Sequence, residues 1–218
     1  NHMGIIETSY ILIDTLGKII KSYPNRYPWK RTAPNVAFMG ENLFYHFNDN
    51  LYKKEIYSDT IYTFLNKSFK PHLVIDVGKF RLTPEKREEN DYKYILDNFL
   101  IPVSLFEFGN CIYYEFILPS NEKNDGLSFI GLKNSKTKFL FDSEPGLIND
   151  IDGGPNIRPK TGTDNTIVSW IDAFKFKQTV ESKSLRPPPS LGKNTQQKRL
   201  PINIKETDNP IIIMVKIK

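Results

Sequence analysis

Cysteine is almost missing from this chain: a single residue, Cys111, among 218 excludes an internal disulfide, so packing must hold the fold. Histidine is scarce as well. His2 lies in a segment, residues 1–3, that reads as the remnant of an expression tag. His46 and His72 sit at unrelated offsets with no acid at metalloenzyme spacing, so no zinc centre is expected. No run approaches ~18 apolar residues, so no segment is predicted to cross a bilayer as a helix. Charge of one sign is weak: 30 Lys and Arg against 25 Asp and Glu leave +5. The late basic residues Lys175, Lys177, Lys183, Arg186, Lys193, Lys198 and Arg199 read as a solvated face, and no nucleic-acid partner is expected. There is no phosphate loop, nucleophile elbow or dinucleotide fingerprint, and no cofactor is predicted.

What is present suits a β-rich core. Aromatics make up 13% of the chain and hydrophobic residues 39%, which argues against disorder and for one domain of ordinary size. Residues 10–23 read as a hairpin turning at Thr15-Leu16-Gly17. Three prolines within residues 24–34 make that stretch a loop. Strands are predicted over 35–39, 42–47, 55–65 and 71–77, and a second set over 101–108, 111–118, 127–132 and 138–141. Four sequential antiparallel strands form a meander the size of one propeller blade. Between the sets, Thr83-Pro84-Glu85 and the spacing of Tyr92, Ile95, Leu96 and Phe99 predict one helix over 84–97. A short strand running into a helix near 173–182 follows. The proline-rich tract 184–201 reads as an extended excursion, and the apolar run 211–215 as a strand completing a sheet.

An internal echo links the sets: Gly40-Glu41-Asn42-Leu43-Phe44-Tyr45-His46-Phe47 matches Gly109-Asn110-Cys111-Ile112-Tyr113-Tyr114-Glu115-Phe116 at an offset of 69. Further motifs are Ser58-Asp59-Thr60-Ile61-Tyr62, the segment 71–79 before the helix, Asp150-Ile151-Asp152-Gly153-Gly154-Pro155, Trp170-Ile171-Asp172-Ala173 and Glu206-Thr207-Asp208-Asn209-Pro210 before the last strand. In order and over nearly the whole chain, these resemble the six-bladed β-propeller family of gut Bacteroidetes, largely of unknown function and akin to NHL and TolB propellers. The resemblance implies an all-β, β-propeller-like array of four-stranded antiparallel blades with short inserted helices, and a periplasmic or cell-surface location. It implies an incomplete ring: two full blades near 35–77 and 101–141, partial blades at both ends, and a single domain over 4–218. A propeller must close, so either further sequence completes the ring or two chains share it through their open edges. A β-sandwich is the other all-β reading.

Candidate site residues follow from residue type. Tyr27 and Trp29 can stack on sugar rings or peptide side chains, with packing over a blade as the other reading of the same aromatics, and Arg31 offers a planar donor fork. Asn35 begins the next predicted strand and joins this ligand-binding set. Asp142 and Glu144 precede the turn at Pro145-Gly146, where a blade-to-blade loop would reach a channel; solvated loop acids are the other reading of the pair. Asp150 and Asp152 beside Gly153-Gly154 form a weak calcium candidate that lacks the full loop spacing; an Asp-capped turn explains the same residues. Cys111 reads as a small hydrophobe within a strand. The expectation is a noncatalytic module that presents rim loops to a glycan or protein. The alternative is a propeller hydrolase acting on a glycan with channel-facing carboxylates.

Overall fold

Polar turns with left-handed backbone cut the chain into hairpins. Asn48 and Asp49 have φ of 46° and 60°, Asn66 and Lys67 have 49° and 55°, and Gly109 has 50°. Paired positive φ values match the right-handed twist of the flanking strands, which is why two-residue loops suffice there. In the computed structural model, the described residues are 6–30, 38–119, 126–150, 154–181, 204–205 and 207–217. The proline-rich tract, Arg31, Asn35 and Asp152 lie outside them.

The architecture is mostly β, with antiparallel sheets and few helices. Strands β1 (Thr8–Ile13) and β2 (Ile19–Pro24) form a hairpin. Strands β3 (Asn42–Phe47), β4 (Asn50–Glu55), β5 (Thr60–Leu65) and β6 (Ser68–Val74) form the first large sheet, in sequential order. After helices α1 (Pro84–Glu89) and α2 (Tyr92–Asn98), strands β7 (Ile101–Phe108), β8 (Cys111–Ile117), β9 (Gly126–Leu132) and β10 (Lys138–Asp142) form the second large sheet. Strands β11 (Thr161–Thr163), β12 (Thr166–Ile171) and β13 (Ile211–Lys216) form the third, with α3 (Ala173–Glu181) between its last two strands.

Three expectations need correction. No strand precedes β3 at Phe38 and Met39; the strand that completes this sheet is β4, and residues 35–37 are not described. The single helix over 84–97 is two helices, because Asp91 turns its side chain to accept the Tyr94 amide and starts a new one. The echo at offset 69 aligns unlike strands, the first of one sheet with the second of the other. The equivalence lies instead in cross-strand aromatic pairs. Tyr45 opposes Tyr52 with ring centroids 5.0 Å apart, and Phe106 opposes Tyr113 at 4.7 Å. Both pairs join the first and second strands of their sheets.

The sheets pack face on face. Tyr45, Tyr52 and Ile61 of the first large sheet meet Leu105, Ile112 and Tyr114 of the second in one continuous core. On the other side of the first sheet, Tyr10 and Tyr23 of the hairpin pack on Phe44, Phe64 and Phe69. A smaller core of Phe38, Ile56, Leu82, Ile95, Phe99 and Ile101 seats the helices. The final strand β13 pairs with β12 in unbroken register and buries one face only: Ile212 and Met214 alternate outward, each 68% exposed.

The first strands of the three sheets, β3, β7 and β11, lie against one another. Glycine permits that approach. A Cβ on Gly40 would be driven into the Pro102 carbonyl, and one on Gly162 would lie 2.8 Å from the Phe106 ring and 3.0 Å from the Glu107 carbonyl. Gly40→Ala and Gly162→Ala are each expected to destabilise the protein by about 1–3 kcal/mol, read as a lower urea midpoint, because the added methyl meets a backbone carbonyl at both sites and, at Gly162, the buried Phe106 ring as well.

Candidate binding groove at the first strands

The junction of β3, β7 and β11 leaves an open groove of about 460 Å³. Alternation along each strand decides what it shows. On β3, Tyr45 and Phe47 turn into the core, so Phe44 and His46 turn to the opposite face, where Phe44 stays half-exposed with Tyr10 against its ring. On β11, Gly162 faces β7 while Thr161 and Thr163 are exposed. Val103, Ser104 and Lys160 also line it. Burial pushes the Lys160 amine below its ordinary value, and the neighbouring Arg158 charge adds to this. The groove thus offers an ammonium, an imidazole and hydroxyls beside one aromatic face.

Behind it, a buried carboxylate ties the first two large sheets together. Glu107 on β7 is wholly buried. Its Oε1 accepts from the Tyr45 hydroxyl at 2.7 Å and lies 2.8 Å from His72 Nε2; its Oε2 accepts from Lys133 Nζ at 2.7 Å. Tyr52 stacks on Tyr45 and meets the His72 ring at a tilt, and Lys133 lies 4.3 Å over the Phe47 ring. Burial, with Glu107 beside it, raises the Tyr45 phenol far above its usual range. Through Tyr45 and His72 this carboxylate ties β3 and β6 of the first sheet to β7 of the second.

A second set joins the second and third sheets. Arg158 donates to Glu115 at 2.9 Å, which raises the guanidinium further, and Ser169 donates to the Arg158 carbonyl at 2.6 Å. Tyr113, Ser128 and Ser143 are linked hydroxyl to hydroxyl at 2.9 and 2.8 Å.

Lys54 is different. It is 2% exposed, its Nζ reaches only the Glu55 carbonyl at 3.4 Å, and among the described residues it has no ion-pair partner. The ammonium lies 5.5 Å from the Tyr114 ring centroid. Burial lowers its pKa from 10.5 to about 8, against the opposing pull of Asp59 and Glu55.

Of the residues expected from sequence, none of those described lines the groove. Trp29 is buried, with the Arg87 guanidinium 5.2 Å from its ring centroid. Tyr27 is half-buried beside Tyr57, their ring centroids 5.7 Å apart. Asp142 ends β10, the outermost strand of its sheet, and is exposed. Glu144 is exposed and 3.7 Å from Arg158. Asp150 is exposed, and among the described residues no group of three or more His, Cys, Asp or Glu is placed to hold a metal. The groove residues were missed in the sequence because their signal is only positional: Phe44 and His46 are the outward partners of Tyr45 and Phe47.

Lys54 yields a direct test. Below pH 8 the amine is charged in both states and the penalty of burying it is fully felt. Between pH 8 and 10.5 the unfolded chain holds more protons, so this contribution makes stability rise with pH. Lys54→Met is expected to stabilise the protein at pH 7 by about 1–3 kcal/mol, the gain shrinking through that window, as measured by urea unfolding of both proteins across pH.

Among the described residues no helix is long and apolar enough to cross a membrane. The family described as "Domain of unknown function (DUF4934)" matches residues 1–216. A solved structure whose title names a "Putative exported protein" from Bacteroides fragilis is similar, with a TM-score of 0.62 and 14% identity. The match covers 99% of this chain and 62% of that one, so this chain spans less than two thirds of that protein's length. At that identity the likeness is one of fold. No curated protein matches the chain.

Proposed function

The chain belongs to the DUF4934 family, whose description carries no activity, and from that premise we propose a noncatalytic binding module of the bacterial cell envelope, built as part of a β-propeller. In this reading the sheets are blades, and β3, β7 and β11 line the central channel. The placement of the first strands together, with each sheet's remaining strands stepping outward, supports it. The similar Bacteroides fragilis protein is named as exported, which supports an exported location.

The observation that carries the binding reading is the groove lining. His46 and the hydroxyls of Ser104, Thr161 and Thr163 stand on strands of three sheets, with Lys160 immediately before β11, beside the half-exposed Phe44 ring. Rigid strands hold these groups in place before a ligand arrives, so little ordering is lost on binding. A lining of donors and one aromatic face suits an acceptor-rich glycan or the backbone of a peptide. The hydrolase alternative calls for paired carboxylates in the channel, and the expected acids Asp142 and Glu144 lie by the outermost strand instead.

The ends of the array fit an incomplete ring. On the third sheet Trp170, Ile212 and Met214 are exposed on one face, and on the hairpin Ile11, Ile13 and Ile19 are exposed. Further blades of a longer polypeptide, or a second copy, would cover both faces.

Screening the protein against immobilised glycans and peptides tests the function. A ligand retained by the protein is expected to be lost with Lys160→Glu and weakened at least about fivefold by Phe44→Ala, the scale of one aromatic contact. Binding indifferent to both substitutions, or turnover of the retained glycan, would overturn the reading.

A further inference from the structure

A second groove, independent of the first, runs between the outer parts of the two large sheets. It has a volume of about 1080 Å³. One wall is Val74 with Ile75, Val77 and Phe80 of the segment after β6; the other includes Phe129 on β9 and Leu140 on β10. Val74 is 67% exposed and Leu140 61%, so the apolar surface continues to the mouth.

The rim is charged on one side. The β9–β10 hairpin carries Lys136 and Lys138 into the lining, both exposed and without an ion pair among the described residues. The third lysine there, Lys133, is taken up by Glu107. Ser135 and Thr137 between them add hydroxyls, bonded to each other at 2.8 Å. The wall from the first sheet contributes one acid, Asp76, whose Oδ1 accepts the Gly78 amide at 2.8 Å.

We infer that this groove binds a single-chain amphiphile with an anionic head, of the fatty-acid class. Its hydrocarbon chain lies along the Val74, Phe80, Phe129 and Leu140 surface. Its carboxylate sits at the Lys136 and Lys138 rim. An apolar trough continuous with an uncompensated pair of ammonium groups matches such a molecule in both parts: burial of the chain drives binding, and the charges set its direction. A neutral amphiphile satisfies only the first part, and an acidic peptide carries too little continuous hydrocarbon to fill the trough.

The test is displacement of a fluorescent fatty-acid probe, with laurate, dodecanol and a twelve-residue acidic peptide as competitors below their aggregation limits. Laurate is expected to compete in the micromolar range and dodecanol about tenfold more weakly, the scale of two exposed ion pairs. Lys136→Glu with Lys138→Glu should weaken laurate about tenfold and leave dodecanol unchanged. Leu140→Asp should weaken both. These side chains are exposed, so unchanged melting is expected; Lys136→Gln with Lys138→Gln replaces the double variant if it fails to fold. Lys160→Glu, in the first groove, should leave laurate binding intact, which separates this assignment from the one above. Absence of saturable probe binding, equal competition by laurate and dodecanol with the lysine variants unaffected, or displacement by the peptide alone would overturn it.

Discussion

A single buried carboxylate organises the junction on which the rest of this structure depends. Glu107 draws a tyrosine from β3, a histidine from β6 and a lysine from the β9–β10 hairpin to one point. None of these groups is a neighbour of Glu107 in sequence. Burying a carboxylate is expensive unless hydrogen-bond donors surround it, and two of these three groups come from the other large sheet, so docking of the two sheets and satisfaction of Glu107 go together. Gly40 and Gly162, which let the chain close on β7 at Pro102 and Phe106, complete the junction at which the first groove opens.

The same logic explains where sequence reading succeeded. The second large sheet was legible nearly strand by strand because its strands are apolar runs separated by Gly109-Asn110 and by the polar segment at 133–137. The hairpin, the last helix and the pairing of the final apolar run were legible for similar reasons. Strand β4 was not. Its sequence, Asn-Leu-Tyr-Lys-Lys-Glu, looks like a solvated connection, yet Lys53, Lys54 and Glu55 are all buried. Lys53 is sheltered by Tyr10 and Phe69, 4.0 and 4.2 Å from their ring centroids, and pairs with Glu55 at 3.2 Å. Aromatic rings supplied by distant strands make that burial tolerable, and no local pattern announces them.

The aromatic loop illustrates the opposite difficulty. Tyr27 and Trp29 have the chemistry of ligand contacts, and sequence has no means of foreseeing that Arg87, on a helix nearly sixty residues away, spreads over the Trp29 ring and pairs with Glu41. The groove residues are less conspicuous by type: a phenylalanine, a histidine, a lysine and threonines. Their standing comes from strand parity and from three sheets converging, both of which are properties of the assembled fold.

The third sheet carries a kinetic signature. Its central pairing joins Ile171 to Ile211, forty positions further along the chain, whereas β3 meets β4 across a two-residue turn. Closing so long a loop exacts an entropy penalty before any ladder bond forms. The large sheets can therefore condense early from local hairpins, and β12 waits with one edge unoccupied until the distant strand arrives. During that interval the molecule is most exposed to mispairing with another β-strand, and the sheet that ripens last is the one whose outward face bears Trp170, Ile212 and Met214.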